Sequence, residues 1–366
     1  MKYVISAGGT AGHINPALAT AEELTRRNHQ VIFAGTPNRL ESKLVPQSGY
    51  KFKAFNARGF NRNKPISIFT AVSSILSSTK KAEKWLNDLN PDAVIGFGCY
   101  VSLAICRAAK KLNIPVIIHE QNSVMGMANK YISTFAKATC LTYERANTNK
   151  IKHVEITGNP VRSSVLNASK AEGRKMLDVP IEADMLLVFG GSLGAKKLNK
   201  SLIEIADELL KRNNLYIVHI TGKEQYKNVI ENLNLSKDMK NRYKVLDYQN
   251  KMGETLAAAD LCICRAGAST LSELTARAIP ALLVPFPYAT ENHQFHNAKT
   301  LLDCGCAWYV KDENVDKPEF KDKLIKLVDN KELRNKMRDS YKLFNSSNAA
   351  KKIVDIIENS SKHWEN

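Results

Sequence analysis

The sequence is poor in the residues that cross-link or anchor proteins. Its seven cysteines, at 99, 106, 140, 262, 264, 304 and 306, form no C-x-x-C pair, so neither a zinc knuckle nor a thioredoxin-type dithiol is supported. An odd count in apolar surroundings fits a reducing cytoplasm. No apolar run approaches the ~20 residues of a membrane-spanning helix, so any membrane contact is expected to be peripheral. A strand is predicted directly after Met1, and no signal peptide is expected. Aromatics are scarce, 7% of the chain, and do not cluster among basic residues as a single-strand nucleic-acid reader requires. Acids are outnumbered: 36 Asp and Glu face 53 Lys and Arg, a formal charge of +17. That excess points to a polyanionic partner (nucleic acid, an anionic membrane or a phosphorylated substrate) or to a merely solvated basic surface.

What is present is alternation. With 366 residues the chain is too long for one core and suits two domains. Short β-branched runs at 2–7, 31–34, 93–95, 116–119, 138–141 and 155–157 read as strands. Stretches at 16–27, 67–89 and 100–112 read as helices. Near residue 160 the series restarts, with strands at 185–189, 215–220, 243–246, 261–264 and 281–284. The fold class is therefore α/β, two doubly wound Rossmann-like domains over 1–160 and 161–344. No low-complexity linker separates them. The basic helical tail, 345–366, is expected to cross back to the first domain.

The restart repeats a motif. KYVISAGGTAGH and MLLVFGGSLGAKKLN are each strand, double glycine, hydroxyl residue, x, glycine, helix. Such turns aim backbone N–H groups and a positive helix end outward, and phosphates bind there. One turn is a weak signal, because helix-packing glycines look alike; two in register are stronger. Neither is G-x-G-x-x-G, and neither second strand ends in the acid that grips an NAD ribose. No P-loop occurs either. A ribose acid does stand in CRAGASTLSELTARAIPALLVPFP: Glu273, in the first turns of a helix that follows a small-residue turn. Taken alone it could equally complement the helix dipole.

GGTAGHINPALA, HEQNSVMGMANK, GNPVR, GGSLGAKKLN, CRAGASTLSE and PALLVPFPYATENHQFHNA together resemble the MurG family, in order and over nearly the whole chain. HEQN and GNPVR are far more specific than a glycine turn. The resemblance implies a GT-B fold with its active site in the cleft between domains. It implies transfer of N-acetylglucosamine from UDP-GlcNAc to the C4 hydroxyl of the muramyl sugar of lipid I, with inversion, giving lipid II. No metal or other cofactor is implied. The partners implied are UDP-GlcNAc, lipid I in the cytoplasmic leaflet and an anionic membrane surface, with room for other cell-wall and division proteins and none for nucleic acid.

Matching residues carry the expected roles. On the donor side Ser192 contacts the phosphates, Glu273 the ribose, and Ala268, Ser269 and Thr270 lie beside the diphosphate. Gln249 occupies the position whose backbone reads the uracil, and Gln294 meets the sugar hydroxyls. Arg162 faces the diphosphate or forms an interdomain salt bridge. From the first domain Thr10, Ala11, Gly12 and Asn122 touch the donor, and the turn holding them faces the acceptor diphosphate. His13 is either the base that deprotonates the attacking hydroxyl, its pKa held down by the positive helix end, or a binder of the acceptor. Glu120 and His119 are fallback bases, with Glu120 alternatively bracing its loop. Gly98 and Tyr100 belong to the acceptor loop, where the family usually has glycines in place of Cys99 and Leu103. Ala11 likewise replaces a glycine.

The stretch KPISIFTAVSSILSSTKKAEKWL matches a peripheral helix at the cytoplasmic face of the membrane. Ile68, Phe69, Val72, Ile75, Leu76 and Leu86 form an apolar stripe, with Lys64, Lys80, Lys81 and Lys84 nearby. Part of any such stripe must pack on the sheet. Two rival readings remain: another GT-B enzyme, with a diacylglycerol acceptor or epimerase chemistry, or a non-catalytic basic binding module. HEQN, GNPVR and Gln294 speak against the first. Two phosphate turns and a ribose acid are superfluous to the second.

Overall fold

A computed structural model describes residues 1–59, 67–147, 151, 153–191, 195–344 and 348–361. Ser192 and Lys64 lie outside the described residues. The chain divides into two compact units. The first runs to Arg162 and includes the C-terminal helix Ala349–Ser360; the second begins at Ser163.

Among the described residues the first unit has seven strands: β1 Lys2–Ser6, β2 Gln30–Gly35, β3 Lys51–Ala54, β4 Ala93–Gly96, β5 Val116–Glu120, β6 Ala138–Leu141 and β7 Val154–Ile156. All pair in parallel, in the order β3-β2-β1-β4-β5-β6-β7. Period-two alternation sends side chains to two cores. Tyr3 and Ile5 of β1, Ile95 of β4 and Ile117 of β5 join one core with Leu18 and Leu24 of the helix Ala11–Arg26. Val4, Val94, Val116 and Ile118 join the other, with Leu86 and Ile105. Ile353, Val354 and Ile357 of the C-terminal helix complete the first core. Burying each such side chain contributes about 1.5–3 kcal/mol. Arg27 adds ion pairs to Asp355 (2.7 Å) and Glu358 (2.6 Å).

In the second unit the described strands are β8 Asp184–Phe189, β9 Leu215–Ile220, β10 Tyr243–Leu246, β11 Leu261–Cys264, β12 Ala281–Leu283 and β13 Ala307–Tyr309. Their order, β10-β9-β8-β11-β12-β13, repeats that of the first sheet up to its last strand. Two edge strands, β3 and β13, escape the periodicity of the sequence. β3 is largely exposed and carries Lys51 and Lys53, as edge strands do.

The doubly wound order creates a switch point in each sheet, between β1 and β4 and between β8 and β11, where the chain leaves in opposite directions and a crevice opens. The first helix starts at Ala11, five residues earlier than its sequence suggests. Pro16 sits inside it and removes only one early hydrogen bond. His13 is thus a helical residue, third after the N-cap Thr10, and not part of the turn.

Candidate active site

At the first switch point, Gly9 adopts φ +87°, which a side chain rarely allows. Thr10 follows in extended conformation, and its hydroxyl lies 3.2 Å from His13 Nδ1. The opposite edge of the imidazole lies on Gly98: a Cβ there would come within 3.1 Å of His13 Cδ2 and 3.3 Å of Nε2. Gly98 caps the helix Cys99–Lys111 at φ +92°. Ala11 is helical and outside the positive-φ residues, so it replaces a glycine without strain. Cys99 differs: it sits at φ +74°, a left-handed conformation that favours the glycine expected there. Tyr100 packs on Gly59, where a Cβ would lie 2.2 Å from its ring.

The two fallback bases are both held by hydrogen bonds within the first unit. His119 is fully buried on β5. Its Nε2 meets Gly158 O at 3.0 Å and its Nδ1 meets Gln121 Nε2 at 3.2 Å. Burial pushes its pKa down to about 4 against the weaker opposing effect of the Gly158 carbonyl. Glu120, also buried, accepts from Asn122 N (3.0 Å) and Asn122 Nδ2 (3.2 Å) on one oxygen, and from Gly126 N (3.0 Å) and Asn129 Nδ2 (2.9 Å) on the other. Four donors occupy both oxygens, so Glu120 braces the loop that carries Asn122, the alternative named for it above.

Arg162 belongs to the first unit rather than the second. Its Nε donates to Glu22 Oε1 at 3.2 Å across half-buried side chains. Within the described residues its ion pair is therefore inside one unit, not between units. An ion pair of this exposure is worth about 0–1 kcal/mol and is readily exchanged.

At the second switch point Gly191 repeats the backbone of Gly9, φ +87°. The helix Ala268–Arg277 starts from Gly267 with no side-chain cap and no acid in its first turn. Ala268, Ser269 and Thr270 are its first three residues. Glu273 is the sixth, half-buried. Dipole complementation fades beyond the first turn, so Glu273 is not explained as a dipole acid. Gln294, half-buried in the helix His293–Asp303, uses its carboxamide oxygen on Ala266 N (3.1 Å) and Phe286 N (2.9 Å). Any ligand it meets is offered the Nε2 hydrogens. Gln249 lies in the loop after β10, with Oε1 accepting from Lys251 N at 2.9 Å. Among the described residues no group of three or more His, Cys, Asp and Glu side chains is gathered as a metal site.

The helix Ser67–Leu89 splits the predicted stripe. Ile75 and Leu86 are buried in the core, which corrects their placement at the membrane. Ile68, Phe69, Val72 and Leu76 are exposed, Phe69 by 78%. Lys80 continues the row Ile68, Val72, Leu76 at spacings of four. Lys80, Lys81 and Lys84 also line a groove of about 570 Å³ with Lys53, Phe55 and Trp85. No described helix is long and apolar enough to cross a membrane.

The sheets and their switch points are those of a GT-B glycosyltransferase. Two family models match accordingly: the glycosyltransferase family 28 N-terminal domain over residues 3–141 and its C-terminal domain over residues 185–357. A UDP-N-acetylglucosamine–N-acetylmuramyl-(pentapeptide) pyrophosphoryl-undecaprenol N-acetylglucosamine transferase from Thermoanaerobacter sp. (strain X514) is 36% identical over 364 residues, 98% of this chain and 99% of that one. The crystal structure of Acinetobacter baumannii MurG aligns with a TM-score of 0.74 at 30% identity, over 98% of this chain and 99% of that one. A UDP-GlcNAc 2-epimerase from Neisseria meningitidis aligns with a TM-score of 0.67 over 98% of this chain and 100% of that one, but at 17% identity. That last likeness is one of fold alone. The chain belongs to the MurG family.

Proposed function

We infer that this chain transfers N-acetylglucosamine from UDP-GlcNAc to the C4 hydroxyl of the N-acetylmuramyl group of lipid I, forming lipid II. The observation that carries this is the end-to-end identity with transferases named for that reaction, 36% over 98% of the chain. In a single inverting displacement the acceptor oxygen bonds to the anomeric carbon as the bond to the UDP oxygen breaks. The hydroxyl proton passes to a base.

His13 is that base in our reading. With Nδ1–H donated to Thr10 Oγ1, Nε2 carries the lone pair that takes the proton. This is supported by the Thr10 contact at 3.2 Å and by the ring's place at the switch point. Asn122, held by Glu120, and Thr10 to Gly12 meet the donor from the first unit. Arg162 exchanges Glu22 for the donor diphosphate. In the second unit Ser192, Ala268, Ser269 and Thr270 hold the diphosphate, Glu273 the ribose hydroxyls and Gln249 the uracil. Gln294 donates Nε2–H to sugar oxygens. Helix ends and side chains neutralise the leaving diphosphate without a metal. Gly98 and Tyr100 line the acceptor side. Ile68, Phe69, Val72 and Leu76 enter an anionic bilayer from the cytoplasmic side, with Lys80 and Lys81 at the headgroups, where each basic residue contributes about 1 kcal/mol.

The test is transfer of radiolabel from UDP-GlcNAc to a lipid I analogue in the presence of EDTA. Transfer is expected. Transfer to diacylglycerol in its place overturns the acceptor, and transfer restored only by added divalent metal overturns the metal-free reading.

A further inference from the structure

Among the buried acids that the transfer does not use, Glu41 is the most deeply enclosed of the described residues. Glu41, the first residue of the helix Glu41–Gln47, has no exposed surface. Its carboxylate accepts from Gly9 N at 3.1 Å and from Thr36 N at 3.0 Å, and closely from the Thr36 hydroxyl. The chain makes room for it twice. A Cβ on Gly8 would lie 2.4 Å from Glu41 Oε1, and one on Gly35 would lie 2.7 Å from Glu41 Cγ. Two of the glycines at this corner therefore admit a carboxylate from beneath, whatever binds above. Burying a carboxylate is costly, and three donors converge to offset it.

The consequence runs toward His13. Glu41 tethers Gly9, which stands at φ +87°, from beneath the turn. The next residue, Thr10, is extended, at φ −134° and ψ 158°, and places its hydroxyl on His13 Nδ1. An N–H donated to a buried carboxylate is also not offered to a phosphate.

We propose that Glu41 is a positioning residue for the transfer: by taking the Gly9 N–H it sets the turn that aims His13, and it keeps the acceptor diphosphate off that N–H. This rests on the reading of His13 given above.

The test compares Glu41→Gln and Thr36→Val with His13→Ala in the full chain. Glutamine keeps one accepting oxygen and presents an NH2 where the carboxylate met a donor. Glu41→Gln is expected to lower kcat about 10- to 100-fold, the scale of a displacement of about 1 Å, with KM for UDP-GlcNAc within about twofold. Hydrogen exchange of the peptide spanning residues 7–14 is expected to quicken in the same variant. Thr36→Val keeps the charge and loses one anchor. It is expected to show a smaller fall in kcat with the same unchanged KM, and it carries the test should Glu41→Gln fail to fold. Unchanged kcat, or loss of kcat only in proportion to the unfolded fraction, overturns the proposal. Full turnover by His13→Ala overturns the base assignment instead, while faster exchange at residues 7–14 in Glu41→Gln still upholds the clamp on the turn.

Discussion

Gly9 and Gly191 share a backbone angle and differ in their described surroundings. Gly9 and Gly191 both stand at φ +87°, each after the first strand of its sheet. Beneath the first turn lies Glu41, fully buried and bonded to Gly9 N. In the second unit the corresponding corner after β9 carries Glu224, which is exposed. Near that corner the buried polar contact is instead a neutral one: Asn199 Nδ2 donates to Thr221 O at 2.9 Å, and its Oδ1 meets His219 Nε2 at 3.0 Å. A duplicated motif thus reports a shape of backbone. In the first unit the residue packed behind that shape, Glu41, lies 32 positions from Gly9 in sequence.

The sharpest way to break this contrast is to remove one functional group from each unit. His13→Ala is expected to lower kcat at least 100-fold while isothermal titration shows UDP-GlcNAc affinity unchanged. Glu273→Ala is expected to weaken UDP-GlcNAc binding about 10- to 100-fold, the worth of hydrogen bonds to a charged group. If both variants lose donor affinity alike, the division of labour between units is wrong.

The exposed and buried faces of the helix Ser67–Leu89 offer the next contrast. Phe69→Asp is expected to cut partition into phosphatidylglycerol vesicles about tenfold or more, the loss of one buried aromatic, with the unfolding midpoint unchanged. Ile75→Asp is expected to unfold the first unit, since Ile75 is in its core.

Each unit also carries a buried histidine whose pKa burial depresses. Burial lowers His119 to about 4 and His219 to about 3. A histidine whose folded pKa lies below its unfolded value of about 6.5 is protonated first in the unfolded chain. Stability is therefore full above pH 6.5 and falls as pH drops, by about 1.4 kcal/mol per unit for each group. The loss stops near pH 4 for His119 and near pH 3 for His219. Denaturant unfolding of His219→Gln is expected to show a shallower acid slope than the parent; an unchanged slope removes His219 as a contributor.

The smallest effect concerns Cys99. Its φ of +74° costs a non-glycine residue about 1 kcal/mol. Cys99→Gly is expected to raise unfolding free energy by about that amount, measured by denaturant titration. No gain would mean that the packing of the thiol offsets the strain.

The sequence made the parallel sheets legible wherever strands are buried on both faces, as in β1 and β11, because their unbroken apolar runs have no other use. Edge strands β3 and β13 were not legible, β3 because its alternating Lys51 and Lys53 give it no apolar run and β13 because it is only three residues long. The start of the first helix was misplaced because glycines and a proline disguise a turn of helix. Motifs picked out His13, Glu273 and Gln294. They did not distinguish Glu120 as a brace from Glu120 as a base, nor Ile75 as core from Ile75 as membrane face. Both distinctions turn on which neighbours surround the side chain. Glu41 left only a faint trace, an acid six residues after β2 with glycines at 8 and 35.

Residue order alone determined the duplicated doubly wound fold and the family, because strand burial, glycine positions and motif spacing are properties of the chain read in line. Tertiary structure decided which polar groups are already spoken for. His119 and the Gly9 N–H find partners across the fold, and Glu120 finds its own in the loop that follows it; a hydrogen bond once made inside is no longer available to a substrate.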